Sequence, residues 1–304
     1  MAFRSERVLV TGARGFTGRY LCERLREDGF GVVGLVESAP KAGEVEGNLL
    51  DATAVAAAVS AAAPDRVIHL AAIASVEHGR AEDIYRTNLL GTLALLDALA
   101  EQGHGRRGII LASSARIYGD VETGTLDESA IPAPASHYAI SKLAMEQAAS
   151  LFRGTLPVTV VRPFNYTGPG QPEPFLVPKI VRHFAQAAAT IELGNVDVVR
   201  DFLDVRTVAL AYRRLIDCPA AAGQAVNLCS GIGISIRDIV ACLEELTGHR
   251  IDIRVNPALV RTNEPRRLVG SAAKLRALVG ALPEIPLATT LADMFAAAAR
   301  TAAD

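Results

Sequence analysis

Five short apolar runs, at 8–10, 32–36, 67–70, 109–112 and 158–162, recur through the first half of the chain with helical patterns between them. Runs this short, rich in Val, Ile and Leu and separated by amphipathic stretches, read as buried strands joined by crossover helices. The fold class that follows is α/β, a doubly wound parallel sheet with right-handed crossovers. The Ala-rich stretch 52–63 reads as one crossover helix, because alanine is the best helix former. Treated as a linker it would leave two strands unconnected. From Asn165 the pattern changes, as Pro169, Pro172, Pro174 and Pro178 punctuate a loop that enters a helix near Lys179. The spacing therefore predicts a sheet domain over 1–164, to which the chain returns at about 198–230 through runs at 202–205 and 226–228. A smaller lobe is expected from 165–197 and 231–304.

Composition narrows the functional classes. The 304 residues carry 31 basic and 33 acidic side chains, a net charge of −2, so neither a nucleic-acid backbone nor an acidic membrane is an expected partner. Cys22, Cys218, Cys229 and Cys242 form no C-x-x-C pair and read as reduced thiols rather than metal ligands. No metal site is expected. Met1-Ala2-Phe3-Arg4-Ser5-Glu6-Arg7 does not read as a leader, and the uncharged stretch 218–236 is broken by Pro219, Gly223 and Gly231. A cytoplasmic protein is expected.

Three local patterns carry chemistry. The run 8–10 leads directly into Thr11-Gly12-Ala13-Arg14-Gly15-Phe16-Thr17-Gly18 and then a helical pattern. A strand, a glycine turn and a helix N-terminus form an anion cradle, since glycine permits positive φ and close backbone approach while the helix offers unpaired N–H groups. The spacing is G-x-x-G-x-x-G, not the G-x-G-x-x-G of the general dinucleotide fingerprint. Second, Ser113-Ser114 follow the run 109–112, at the carboxyl end of a strand where open sheets bind ligands. Third, Tyr138 and Lys142 stand four residues apart on one helix face. An ammonium beside a phenol favours its ionised form, which would bring the pair into acid–base range.

The order and separation of these elements resemble the extended short-chain dehydrogenase/reductase family, within it the enzymes of nucleotide-diphosphate sugars. The resemblance extends through His69-Leu70-Ala71-Ala72, Asn88-Leu89-Leu90-Gly91-Thr92, Arg162-Pro163-Phe164-Asn165, Arg200-Asp201-Phe202 and Asn227-Leu228-Cys229-Ser230-Gly231. It implies Ser114, Tyr138 and Lys142 as catalytic residues: Tyr138 protonates a sugar C4 oxygen, Lys142 lowers its pKa and holds the nicotinamide ribose, and Ser114 bonds the substrate oxygen. It implies a cofactor site of Gly12, Arg14, Gly15, Phe16, Gly18, Glu37, Asn48, Leu49, Leu70, Ala71, Ala72, Asn88, Tyr138, Lys142 and Pro163. It implies substrate contacts from Ser114, Asn165, Val177, Lys179, Arg200, Arg261 and Glu264, and a homodimer.

The resemblance implies NADPH or NADH as cofactor, and two residues point opposite ways. Glu37, after the second strand, suits a ribose diol and favours NADH. Arg14 suits the 2′-phosphate of NADPH. As to the reaction, Ser114 is followed by Ala115, Arg116 and Ile117, without the acid of the 4,6-dehydratase branch or the Cys of the 3,5-epimerising branch. The segments Pro163-Phe164-Asn165-Tyr166-Thr167-Gly168-Pro169-Gly170-Gln171 and Leu268-Val269-Gly270-Ser271 look most like the branch that reduces GDP-4-keto-6-deoxy-mannose, which implies reduction at C4 of a GDP-sugar. An NAD-dependent 4-epimerase is the alternative, on Ser114-Ala115-Arg116-Ile117-Tyr118-Gly119. A non-catalytic dinucleotide sensor is a third.

Overall fold

A computed structural model describes residues 5–74, 80–119, 124–260 and 265–303. Its strands are β1 (Arg7–Thr11), β2 (Gly31–Val36), β3 (Glu44–Glu46), β4 (Arg66–His69), β5 (Ile109–Ala112), β6 (Val158–Pro163), β7 (Asn165–Thr167), β8 (Thr190–Leu193), β9 (Val199–Asp204), β10 (Ala225–Leu228), β11 (Gly233–Ser235), β12 (Asp252–Val255) and β13 (Arg267–Leu268). Its helices are α1 (Phe16–Glu27), α2 (Ala52–Ala62), α3 (Ala81–Tyr85), α4 (Gly91–Gln102), α5 (His137–Ser150), α6 (Leu176–Ala185), α7 (Val205–Leu215), α8 (Ile236–Thr247), α9 (Ala273–Val279) and α10 (Leu287–Ala303).

Seven parallel strands form the central sheet in the order β10-β6-β5-β4-β1-β2-β3. All five runs found in the sequence are in it, together with β10. The strand β3 was not foreseen, because Glu-Val-Glu carries too little apolar pattern to announce an edge strand. Pleating sends alternate residues of β1 to opposite faces: Val8 and Val10 pack with Leu21, Leu25, Val208 and Tyr212 from α1 and α7, and Leu9 packs with Val55, Val59, Leu95 and Leu99 from α2 and α4. The stretch 52–63 is a helix, capped by the Asp51 carboxylate on the N–H groups of Thr53 and Ala54.

The run at 202–205 behaves differently from expectation. It lies in β9, which pairs with β7, β11 and β13 in a second sheet and not with the central one. The helix that follows it, α7, packs on the central core, as do Leu203 at the end of β9 and Leu275 of α9. A short apolar run reports burial but not the sheet in which it is buried. A separate core gathers α6, α8 and α10 around Ile180, Phe184, Ile239 and Leu243. No helix of the described residues is long and apolar enough to cross a membrane.

Candidate active site

The strand order reverses at β1, whose neighbours are β2 and β4, and the loops leaving β1 and β4 meet at this switch point, where open sheets place ligands. The glycine turn is built without room for side chains. Gly12 has φ +69°, and a Cβ there would lie 2.9 Å from the Ala71 nitrogen; one on Gly18 would lie 2.1 Å from the Gly12 oxygen. Gly15 is the N-cap of α1 with no side chain bonded to the first turn, so the helix N–H groups stay available to an anion. This cradle fits a dinucleotide pyrophosphate.

The loop after β4 is held from both sides. Thr11 Oγ1 accepts from the Ala71 N–H at 3.1 Å and bonds His69 Nδ1 at 2.7 Å, while His69 Nε2 bonds Thr92 Oγ1 at 3.0 Å. Burial lowers the His69 pKa to about 3, with the Lys142 charge adding to the shift, so the ring is neutral. Asn88, expected at the cofactor, is buried and spends its amide on the loop: Oδ1 accepts from Ile73 N at 2.9 Å, and Nδ2 donates to Ile73 O and to Ser141 Oγ, each at 3.1 Å. Its amide therefore ties the backbone at Ile73 to Ser141 of α5.

Ser114, Tyr138 and Lys142 come together at the end of β5. Ser136 caps α5 by accepting from Ala139 N at 3.2 Å, which starts the helix at His137 and puts Tyr138 in its first turn. Lys142 is 4% exposed and its Nζ donates to the Ala112 carbonyl at 2.7 Å. Burial raises the Tyr138 pKa to about 12, partly offset by a hydrogen bond with Ser114. The sequence expectation was that Lys142 would pull the phenol down. In the fold, burial sets the direction for the phenol, and burial also lowers Lys142 to about 8, against an opposing pull from Glu146. The ammonium is turned onto a carbonyl, and the phenol remains protonated.

Beneath these residues lies a network centred on Glu146, which no motif flagged and which joins residues that lie in several of them. Glu146, one turn beyond Lys142, pairs with Arg162 at 2.7 Å, with side chains 6% and 9% exposed, and accepts from Ser113 Oγ. Arg162 also donates to Tyr118 Oη at 2.9 Å, and that hydroxyl donates to Asn227 Oδ1 at 2.7 Å. Glu146 thus ties α5 to the ends of β5 and β6. The continuing four-residue spacing, Tyr138, Lys142, Glu146, was the signal that could have found it. Tyr166, likewise unflagged, bonds Thr17 Oγ1 at 2.8 Å and stacks on Phe16 at 6.2 Å between ring centres.

At the adenosine end, Glu37 is exposed, with no side-chain hydrogen bond or ion pair among the described residues. Asn48 Oδ1 accepts from Leu50 N at 2.9 Å, turning the chain beside Leu49. Arg14 is engaged by Glu44, at 3.0 Å through Nε and 2.6 Å through a terminal nitrogen.

Of the expected substrate residues, Asn165 opens β7, next to β9, in register with Phe202, and has no side-chain hydrogen bond among the described residues. Arg200 is 2% exposed on β9. The acids beside it are otherwise engaged: Asp201 accepts from Ser230, Gly231 and Gly270, and Asp204 pairs with Arg206 and Thr290. Val177 corrects the expectation, since its side chain sits in the lobe core. Lys179 donates its ammonium to the Glu192 carbonyl at 2.7 Å. A helix that carries a binding motif must also cover its own core, and at Val177 packing took the side chain. Arg261 and Glu264 lie outside the described residues. Among the described residues no cluster of three or more His, Cys, Asp or Glu side chains could hold a metal ion.

The model of the NAD dependent epimerase/dehydratase family matches residues 8–229. The chain belongs to this family. It is 36% identical over 275 residues, covering 90% of this chain and 91% of the relative, to GDP-6-deoxy-D-talose 4-dehydrogenase of Aggregatibacter actinomycetemcomitans. It is 39% identical over 240 residues, 75% of this chain and 78% of the relative, to GDP-6-deoxy-D-mannose reductase of Pseudomonas aeruginosa. The structure of RMD from Pseudomonas aeruginosa complexed with NADPH superposes with a TM-score of 0.87 at 33% identity, covering 98% of this chain and all of that one. The expected family and the Rossmann-type sheet are therefore met, and the family is NAD(P)-dependent.

Proposed function

We propose that this enzyme reduces the C4 ketone of a GDP-linked 4-keto-6-deoxyhexose with NADH or NADPH, giving GDP-rhamnose or its C4 epimer GDP-6-deoxy-talose. The observation that carries the reading is the junction of Ser114, Tyr138 and Lys142 with a glycine cradle at one switch point. Two relatives named for redox chemistry on GDP-6-deoxyhexoses support the substrate class.

The cradle of Gly12, Gly15 and Gly18 and the loop Leu70–Ala72 would hold the dinucleotide, with Asn48 and Leu49 beside the adenine and Pro163 near the nicotinamide. The bound cofactor supplies the hydride. Tyr138 delivers the proton to the C4 oxygen, and its raised pKa keeps that proton in place at neutral pH. Ser114 hydrogen-bonds the same oxygen and the phenol. Lys142, released from Ala112, would donate to the cofactor's ribose, and its charge would offset the phenolate left by the transfer. Asn165 and Arg200 would receive the sugar-nucleotide diphosphate, the guanidinium fork matching two of its oxygens.

The enzyme is read as a cytoplasmic homodimer. Leu90 on the turn entering α4 and Ile140 on α5 are 55% and 40% exposed, which supports a second copy across that helical face, and light scattering measures the mass directly.

The deciding experiment incubates the protein with GDP-4-keto-6-deoxy-mannose and NADH or NADPH and identifies the product by NMR. Stoichiometric oxidation of cofactor with a C4 alcohol as product is the expected result. Interconversion of two GDP-hexoses with no net cofactor use would make it an epimerase, and binding without turnover a sensor.

A further inference from the structure

Arg14 and Glu37 argue for different cofactors on sequence alone, and a third residue, on the edge strand, bears on the outcome. Glu44 opens β3, in register with Gly34 of β2. A Cβ on Gly34 would lie 3.0 Å from Ala13 Cβ and 3.3 Å from Glu44 Cγ, so the glycine leaves the passage through which the Glu44 carboxylate reaches Arg14. The contact is bidentate, with Nε on Oε1 at 3.0 Å and a terminal nitrogen on Oε2 at 2.6 Å. The same guanidinium donates to the carbonyls of Ala39 at 2.7 Å and Ser38 at 3.3 Å. Glu44 Oε2 also accepts from Lys41 N at 2.7 Å, closing the turn that follows Glu37.

Four of the five guanidinium N–H donors are thereby engaged. A phosphate needs two of them from one direction, and the carboxylate stands beside the same guanidinium, where its charge opposes a dianion. The Arg14 hydrogen bond holds the Glu44 pKa near 2, so the carboxylate is ionised throughout the physiological range.

We propose that Glu44 is a cofactor-selectivity residue, which occupies Arg14 in a clamp over the 38–39 turn and so biases the adenosine site against a ribose 2′-phosphate. Glu37, without a side-chain partner among the described residues, is left to meet an unmodified ribose diol. The inference rests on the dinucleotide site of the proposed function but not on the sugar, so binding alone tests it. It deepens the cofactor reading by naming NADH as the preferred form and the residue that decides it.

The test titrates NADH and NADPH, without sugar, into wild type, Glu44→Gln, and the double variant Arg14→Ala with Glu44→Gln. Wild type should bind NADH the more tightly. In Glu44→Gln the ratio of the NADPH to the NADH dissociation constant should fall at least tenfold, and the double variant should lose that gain. A ratio unchanged in Glu44→Gln, or a gain that persists without Arg14, overturns the proposal. Measurable binding of either cofactor with no sugar turnover would reject the reductase reading and leave this one standing.

Discussion

The site contains two Arg–Glu pairs that differ in surroundings far more than in chemistry. Arg162 and Glu146, behind the catalytic residues, are 9% and 6% exposed, and the pair is extended by Ser113, Tyr118 and Asn227. Arg14 and Glu44, at the adenosine end, are 45% and 15% exposed. A buried pair cannot lose one member without stranding a charge out of water. Where one member is exposed, as Arg14 is, losing its partner leaves the charge in water. One end of the site is therefore rigid, behind Ser114, Tyr138 and Lys142, and the other is adjustable, where the proposed selection of the dinucleotide would act.

The largest effect should come at the rigid end. Tyr138→Phe removes the proton donor and leaves the cradle intact, so kcat should fall by the 10²–10⁴-fold typical of acid–base catalysis while NAD(P)H still binds. Retention of more than about a tenth of the wild-type rate would break the assignment. Next comes stability: Glu146→Ala strands Arg162 and should cost about 3–5 kcal/mol in urea unfolding. Glu44→Gln, the matching change in the exposed pair, should leave the unfolding midpoint within experimental error. Equal losses in both would erase the contrast between the two regions.

A smaller effect sharpens the comparison through pH. Lys142 has its pKa lowered to about 8 and Tyr138 has its raised to about 12. Below pH 8 both hold the proton that reduction needs. As pH rises through 8, Lys142 loses its charge first, so kcat/KM for NAD(P)H, which reports the free enzyme, should decline with an apparent pKa near 8. Because Glu146 opposes the lowering, replacing it with Gln should move that limb to lower pH. A limb that stays put would mean the Glu146 charge does not reach Lys142. The smallest expected effect is ionic: the NADPH-to-NADH preference should shift with added salt, since the Arg14 clamp is screened, whereas the Lys142 limb should hardly move. Comparing both at 0.05 and 0.5 M salt, roughly a threefold change in Debye length, separates the two ends.

The sequence by itself determined the parallel sheet, the glycine turn and the serine, tyrosine and lysine of the site, because each follows from local spacing. Strand runs declare themselves by apolar clustering, and Tyr138 and Lys142 by one helical turn. Partnership across the sheet was decided by the tertiary structure. The run at 202–205 looked like its neighbours, yet pairing put β9 beside β7 in a second sheet. Val177 carried a binding expectation, yet packing took its side chain. The direction of the Tyr138 pKa also belongs to the fold, since four-residue spacing suggested a lowered phenol but the buried position raises it. Glu44 lies 30 residues from Arg14 in the chain in a strand that carries almost no pattern. Its meeting with Arg14 exists only because parallel pairing sets β3 against a glycine of β2.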